Sequence, residues 1–217
     1  MSSPRYFPTP HSAGPDGFLG IGGRLETSWL VDAYRHGIFP WPLADGTLAW
    51  FSPDPRAVIE FDEFHISRRL RDTLRSGKFT TTLDCDFAGV IDGCATSGDR
   101  RGATWITPAM RRAYVRLHEA GIAHSVEVWH DGALAGGTYG VAIGGLFAAE
   151  SMFYRVRDAS KAALARLAEH LRSRGFVLWD IQQLTPHTAS LGAKEITRDE
   201  YLRRVAAAVE MPVTFSG

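Results

Sequence analysis

Residues 158–182 read DASKAALARLAEHLRSRGFVLWDIQ, a helix and a strand written end to end. Ala163, Leu164, Leu167, Ala168 and Leu171 recur at three- and four-residue spacing, which draws one apolar stripe along a helix. Asp158 stands where a helix cap is expected and Gly175 where a helix stops. Phe176, Val177, Leu178 and Trp179 follow at once, a run apolar enough for a buried strand. Asp180 and Gln182 then flank Ile181. A period of two puts Asp180 and Gln182 on one face. Two polar side chains at the end of a buried strand need partners, and either nearby backbone groups or a substrate would serve. The next stretch, TPHTASLGA (185–193), is small, polar and rich in turn formers, as a loop beside a site would be.

Upstream, His124–His130 alternates as a strand. Asp131-Gly132 turns it into a second strand, Ala133–Ile143, and Gly144-Gly145 turns that into a third, Leu146–Glu150. An antiparallel meander, a crossover helix and a further strand describe a mixed-sheet α/β (α+β) domain. Before the meander we expect a strand at Phe79–Leu83, a helix over Asp86–Cys94 and a polar loop over 97–103. A helix capped by Thr107, with Pro108 first and Gly121 closing it, follows. Its apolar stripe is Met110, Ala113, Tyr114 and Leu117.

A helix is also expected over Ser67–Ser76. Ile66, Leu70 and Leu74 line one side of it, and Arg68, Arg71 and Arg75 the other. Arg69 and Lys78 extend that cationic run, and Asp72 interrupts it. With 24 Lys and Arg against 24 Asp and Glu in the whole chain, the cluster is a local feature. It reads as a solvated face or as a phosphate-backbone contact.

The N-terminal region is different in kind. Residues 1–16 are a loose arm of Ser, Pro and Gly. GFLGIGG (17–23) lacks the Lys-Ser/Thr of a phosphate loop and a strand before it, so a tight turn is expected. Thr27 or Ser28 caps a short helix running to about His36. In 37–59, GIFPWPLADGTLAWFSPDPRAVI, four prolines exclude regular helix, and Phe39, Trp41, Trp50 and Phe51 suit a rigid aromatic wall or a packed joint. The domain boundary is placed near Pro55, giving a small N-terminal domain over 1–55 and a larger one over 56–217.

The 217 residues are 45% hydrophobic and 22% charged, as in an ordinary globular chain with a substantial core. The near-neutral pI excludes a general nucleic-acid coat protein. Cys85 and Cys94 form neither a zinc pattern nor a disulfide framework, and both read as buried thiols. No run is long enough to span a membrane and the start lacks an apolar signal core, so a cytoplasmic location is expected.

The blocks FPW (39–41), WFSPDPRAV (50–58), TWIT (104–107), HSVEVW (124–129), GGTYGVA (136–142), ESMF (150–153) and HTASLGA (187–193) occur together and in order. From about Gly17 to about Leu202 the chain resembles the leucyl/phenylalanyl-tRNA–protein transferase family. The resemblance implies a GCN5-related acetyltransferase-like C-terminal domain behind a small N-terminal one. It implies transfer of Leu or Phe, with Met a further candidate, from aminoacyl-tRNA to the N-terminal Arg or Lys of acceptor proteins, marking them for N-end-rule degradation. Carried onto this sequence, Asp180 and Gln182 become catalytic residues. Trp41, Trp105, Tyr114, Thr138, Phe147, Glu150 and Met152 become substrate-binding residues, and Arg68, Arg71 and Arg75 hold the tRNA. Thr138 stands where some members carry Met, which implies a smaller or more polar slot. No cofactor, metal or membrane partner is implied.

The chemistry fits that residue set. An aminoacyl-tRNA carries an activated ester, so an amine that attacks it needs orientation, a proton acceptor and oxyanion donors, and neither ATP nor metal. A free α-amine titrates at roughly 7.7–8.0 and must lose a proton to react. Gln182 is too weak a base to take it, but its carbonyl can aim the amine, with Asp180 in support. The tRNA's terminal ribose hydroxyl is an alternative shuttle. Glu150, set among Phe147, Met152 and Phe153, suits the acceptor's positive charge, with Asp180 second; an internal salt bridge to Arg155 or Arg157 is the competing reading. His124 and His187 have no nucleophile neighbour and read as structural. Two other functions compete. An acyl-CoA-dependent N-acetyltransferase would want a glycine-rich loop where this chain has FYRVRDAS (153–160). A non-catalytic tRNA-binding module would leave Asp180 and Gln182 unexplained.

Overall fold

A computed structural model describes residues 4–97 and 104–216; most of the loop expected over 97–103 lies outside them. Strands β1 (Phe18–Ile21), β2 (Phe39–Pro42) and β3 (Leu48–Phe51) form a three-stranded antiparallel sheet in the order β1-β3-β2. The glycine-dense run is therefore a strand, with Gly17, Gly22 and Gly23 at positive φ on its flanks. Helix α1 (Thr27–Arg35) links β1 to β2. Its cap position is Glu26, and neither Thr27 nor Ser28 caps it with a side chain.

The second sheet has seven strands in the order β10-β4-β9-β8-β7-β6-β5. β5 (Thr80–Leu83), β6 (Ala123–His130), β7 (Ala133–Ile143) and β8 (Leu146–Tyr154) make the antiparallel run. Asp131 and Gly132 both have positive φ, the geometry of a tight two-residue hairpin. β8 continues four residues past the expected end at Glu150. Helix α5 (Ala159–Arg174) crosses over to β9 (Leu178–Gln182), which pairs with β8 in parallel. Gly175 ends α5 in the left-handed region at φ 85°. Asp158 occupies the N-cap position of α5 but makes no capping bond, and pairs with Arg69 at 3.1 Å instead. β4 (Arg56–Ile59) and β10 (Ala193–Ile196) complete the far edge.

Helices α2 (Arg68–Arg75), α3 (Phe87–Thr96) and α4 (Pro108–Glu119) begin at side-chain caps from Ser67, Asp86 and Thr107. A short turn, α6 (Pro186–Ala189), and α7 (Arg198–Ala208) follow β9 and β10. Pro55 lies between the two sheets, yet the core does not divide there. Leu30, Tyr34, Phe39 and Trp50 pack in one cluster with Tyr114, Tyr139 and Phe153. On the other face Phe147, Leu164, Leu167, Leu171, Phe176 and Trp179 pack together, and α7 closes over Val58, Leu146 and Leu178. Cys94 is buried as expected. Cys85 is exposed, at the turn where Asp84 takes positive φ before α3.

Candidate active site

β8 and β9 pair only where Leu146–Ala148 face Leu178–Asp180. Past that point a cavity of about 430 Å3 is lined by residues of both strands. Each strand carries a bulge there. On β8, Ser151 faces Tyr139 and Ala149 faces Gly140, so Glu150 is the extra residue. On β9, Gln182 faces Ala57 and Asp180 faces Val58, so Ile181 is the extra residue. A bulge breaks alternation and re-aims side chains. Gln182 has φ 58°, a left-handed conformation that a non-glycine residue holds only when its surroundings fix it. The bond that fixes it is Gln182 N–H to Asp180 Oδ1, at 2.9 Å.

Asp180 and Gln182 therefore do not share a face. Asp180 is completely buried and turned toward α7, while Ile181 and Gln182 both line the cavity. Arg56 grips Asp180 with two bonds, Nε to Oδ1 at 2.8 Å and Nη2 to Oδ2 at 2.7 Å. Tyr201 donates to Oδ2 at 2.7 Å. With the Gln182 amide, the carboxylate accepts four bonds, about as many as its lone pairs allow. Arg56 is itself buried, with the Phe39 and Tyr201 rings 4.8 and 4.4 Å from its guanidinium carbon. Burial alone would pull its proton affinity down, but the facing Asp180, chiefly, raises it above the usual arginine value.

Glu150 has other company. It accepts from Tyr34 at 2.7 Å, Tyr114 at 2.8 Å and Gln182 Nε2 at 3.2 Å. The two phenolic oxygens are also 2.5 Å from each other. Among the described residues no Lys or Arg forms a salt bridge with Glu150. Arg155 instead donates to the Leu134 carbonyl and lies over the Phe153 ring. Burial pushes Glu150 up to about 7, against the partial relief of the two phenols. Burial, and then Glu150, push both phenols well above the usual tyrosine range, so they are neutral donors.

Ile59, Met152, Leu164 and Ile181 give the cavity an apolar wall. Trp41, 42% exposed, stacks on Trp105 with centroids 5.0 Å apart. Thr138 lines the cavity too, but its hydroxyl donates to the Ser151 carbonyl at 3.0 Å, so it adds no free polar group there. His187 also borders the cavity. Its Nε2 is buried without a partner, and burial followed by Lys161 pushes its pKa down. His124 is buried, bonded to Asp84 at 2.7 Å and stacked on Phe215.

Three expected positions fall outside the cavity wall. Asp180 is behind it. Tyr114 reaches it through the bond to Glu150 and an edge-on contact with the Trp105 ring. Phe147 faces Trp179 where the strands are still paired, and its ring packs near Phe176 and Phe215. Arg68, Arg71 and Arg75 are exposed on α2, which packs against α5. The sequence reading missed Arg56, Tyr34 and Tyr201. An arginine in the apolar run RAVI, and a tyrosine on the buried stripe of α1 with Leu30 and Ala33, were the available signals.

Fold and cavity define a mixed α/β protein with an apolar slot, a carboxylate outside any salt bridge and a side-chain amide in one cavity. Among the described residues no group of three or more His, Cys, Asp or Glu is placed to hold a metal ion. The sequence profile of the leucyl/phenylalanyl-tRNA protein transferase family matches residues 58–206, and that of the family's N-terminal domain matches residues 23–54. A leucyl/phenylalanyl-tRNA–protein transferase of Chromohalobacter salexigens is 52% identical over 202 residues, 93% of this chain and 79% of that protein. One from Solidesulfovibrio magneticus is 51% identical over 205 residues, 94% and 83% of the two lengths. The chain belongs to the leucyl/phenylalanyl-tRNA–protein transferase family. Among solved structures, a GCN5-related N-acetyltransferase from Kribbella flavida is similar with a TM-score of 0.43 and 11% identity, over 76% of this chain and 58% of that one.

Proposed function

We propose that the enzyme takes Leu or Phe from its tRNA and joins it to the N-terminal Arg or Lys of an acceptor protein. Family membership makes the chain an aminoacyltransferase that carries an aminoacyl group from tRNA to protein. The finer reading rests on one observation: an apolar wall and a carboxylate bonded only to neutral donors, Glu150, meet in a single cavity. An apolar donor side chain suits Ile59, Met152, Leu164 and Ile181, and the Trp41–Trp105 stack offers a flat surface to the terminal nucleoside. A carboxylate with no internal cation suits an acceptor that brings its own.

In this reading Gln182 aims the acceptor amine, and Asp180 acts at one remove, by holding the Gln182 bulge. Arg68, Arg71 and Arg75 contact tRNA phosphates. No cofactor is needed, because the ester is already activated. We place the enzyme in the cytoplasm, where charged tRNA is found, and read its products as marked for degradation. Among the described residues no helix is long and apolar enough to cross a membrane. The boundary near Pro55 is proposed as a division between two sheets that share a core.

The test is direct. Phe-tRNA and a peptide beginning with Arg are mixed with the enzyme in the absence of coenzyme A. Phe-Arg-peptide is the expected product. Product formation only from an acyl-CoA donor would replace this reading with an N-acetyltransferase.

A further inference from the structure

Asp180 has no lone pair left for a substrate proton, and Gln182 is an amide. The cavity therefore needs another acceptor for the proton that an α-ammonium must lose before it attacks. Among the described residues, Glu150 is the one carboxylate that lines the cavity.

Its surroundings can be counted. Tyr34, Tyr114 and Glu150 form a triangle with oxygen–oxygen contacts of 2.5, 2.7 and 2.8 Å. Each contact needs a proton between its oxygens. Two phenols supply two protons, one each. While Glu150 is ionised, one edge of the triangle holds two oxygens in close contact with no hydrogen between them. A third proton, on the Glu150 carboxyl, serves the empty edge and completes all three bonds. The triangle is thus built around a site one proton short, and Gln182 Nε2 holds the same carboxyl at 3.2 Å.

We propose that Glu150 is the catalytic proton acceptor, taking the proton of the acceptor's α-ammonium into the Tyr34–Tyr114 triangle. This rests on the transferase reading above and changes what Glu150 does within it, from recognising a cation to discharging one. The step balances. The ammonium gives one proton to the Glu150 carboxylate. The nitrogen lone pair attacks the ester carbon, whose oxygen takes up the displaced electron pair. On collapse the oxyanion's pair re-forms the carbonyl, the carbon–O3′ bond breaks, and O3′ leaves with that bond's pair and takes a second proton from nitrogen. An amide, a free 3′-hydroxyl and a protonated Glu150 result, and solvent takes the last proton to reset the site.

The other charged groups bearing on Glu150 are Asp180 on β9 and Arg56 on β4, which act in opposite directions, and the neutral phenols of α1 and α4. With Glu150 at about 7 and a free amine at roughly 7.7–8.0, the transfer is nearly matched. An ordinary carboxylate at about 4.3 would fall short by over a thousandfold.

The experiment is single-turnover transfer from Phe-tRNA, with wild type and Glu150→Gln, to two peptides. One carries an ordinary N-terminal Arg. The other carries the same residue as its α-hydrazino analogue, whose terminal nitrogen is neutral at pH 7. With the ordinary amine, Glu150→Gln is expected to lose roughly a hundredfold in rate at pH 7, within the range for general base catalysis, and less toward pH 9. With the hydrazino peptide the loss should shrink to about threefold at most, the usual scatter of a conservative change. Equal losses on both peptides would overturn the proposal. So would a loss confined to KM that also erases discrimination against N-terminal citrulline, since Glu150 would then read the side chain. Tyr114→Phe covers the case in which Glu150→Gln misfolds. It removes one donor, so the acid limb of the wild-type pH profile should move upward, and an unmoved limb counts against the triangle. A donor tRNA ending in 2′-deoxyadenosine should still react in wild type, and a complete loss would give the proton to the ribose hydroxyl. If wild type transfers nothing to either peptide, the transferase reading fails first.

Discussion

Asp180 and Glu150 stand where two adjacent strands part, each tied to a bulge, and their surroundings differ in every respect that sets a carboxylate's behaviour. Asp180 is sealed from solvent, faces a guanidinium and fills all its acceptor positions. Glu150 borders the cavity, faces phenols and an amide, and among the described residues has no salt-bridge partner. A paired, saturated carboxylate is a fixed point from which backbone can be hung. A carboxylate held by neutral donors in partial burial is a proton store. On the proposed reading, the difference gives one group a part in geometry and the other a part in chemistry.

Breaking the fixed point should cost most. Arg56→Met leaves Asp180 buried without its partner, which destabilises a protein by about 3–5 kcal/mol. Transfer at permissive temperature should fall by about a hundredfold or more as the Gln182 bulge relaxes. Urea unfolding with single-turnover rates checks both, and normal turnover in a destabilised Arg56→Met would separate Asp180 from the site. Next comes Gln182→Ala. Its loss should be at least about tenfold, on the order of 1.4 kcal/mol in the barrier, with tRNA affinity unchanged. A variant that transfers at the wild-type rate would leave the bulge without a catalytic purpose.

The smallest effect should lie on α2, outside the comparison altogether. Glu at Arg68, Arg71 and Arg75 should weaken binding of charged and uncharged tRNA alike. The slope of log affinity against log salt should flatten by about one per lost phosphate contact. Rates at saturating tRNA should stay near wild type. An unchanged slope would return the three arginines to a solvated face.

The sequence carries the fold well wherever periodicity and caps agree. The α5 stripe, the Gly175 stop and the Asp131-Gly132 hairpin are local signals, and local physics decides them. β4 and β10 were not expected as strands of the large sheet, because their pairing to β9 and to each other is long-range and four-residue strands carry little pattern. The site was legible by residue type more than by geometry. Asp180, Gln182 and Glu150 were all singled out, yet strict alternation placed Asp180 beside Gln182. A bulge is invisible to a period-two reading, since it adds one residue without changing composition. Phe147 is assigned to the slot by the family resemblance alone, although the strands part only past Ala148. Arg56 and Tyr201 lie far from Asp180 in sequence, and only the pairing of β4 with β9 and the packing of α7 bring them together.

The proton store can be observed without any substrate. Side-chain carboxyl 13C shifts, followed in the free enzyme from pH 4 to 9 with Glu150→Gln as the assignment control, report each carboxylate separately. Burial raises Glu150 in the folded state. It should therefore hold its proton below the folded midpoint and lose it as pH rises through about 7. The account predicts one glutamate resonance titrating there and missing from Glu150→Gln. Glutamate resonances that all titrate below about 5, in the ordinary range, would contradict it.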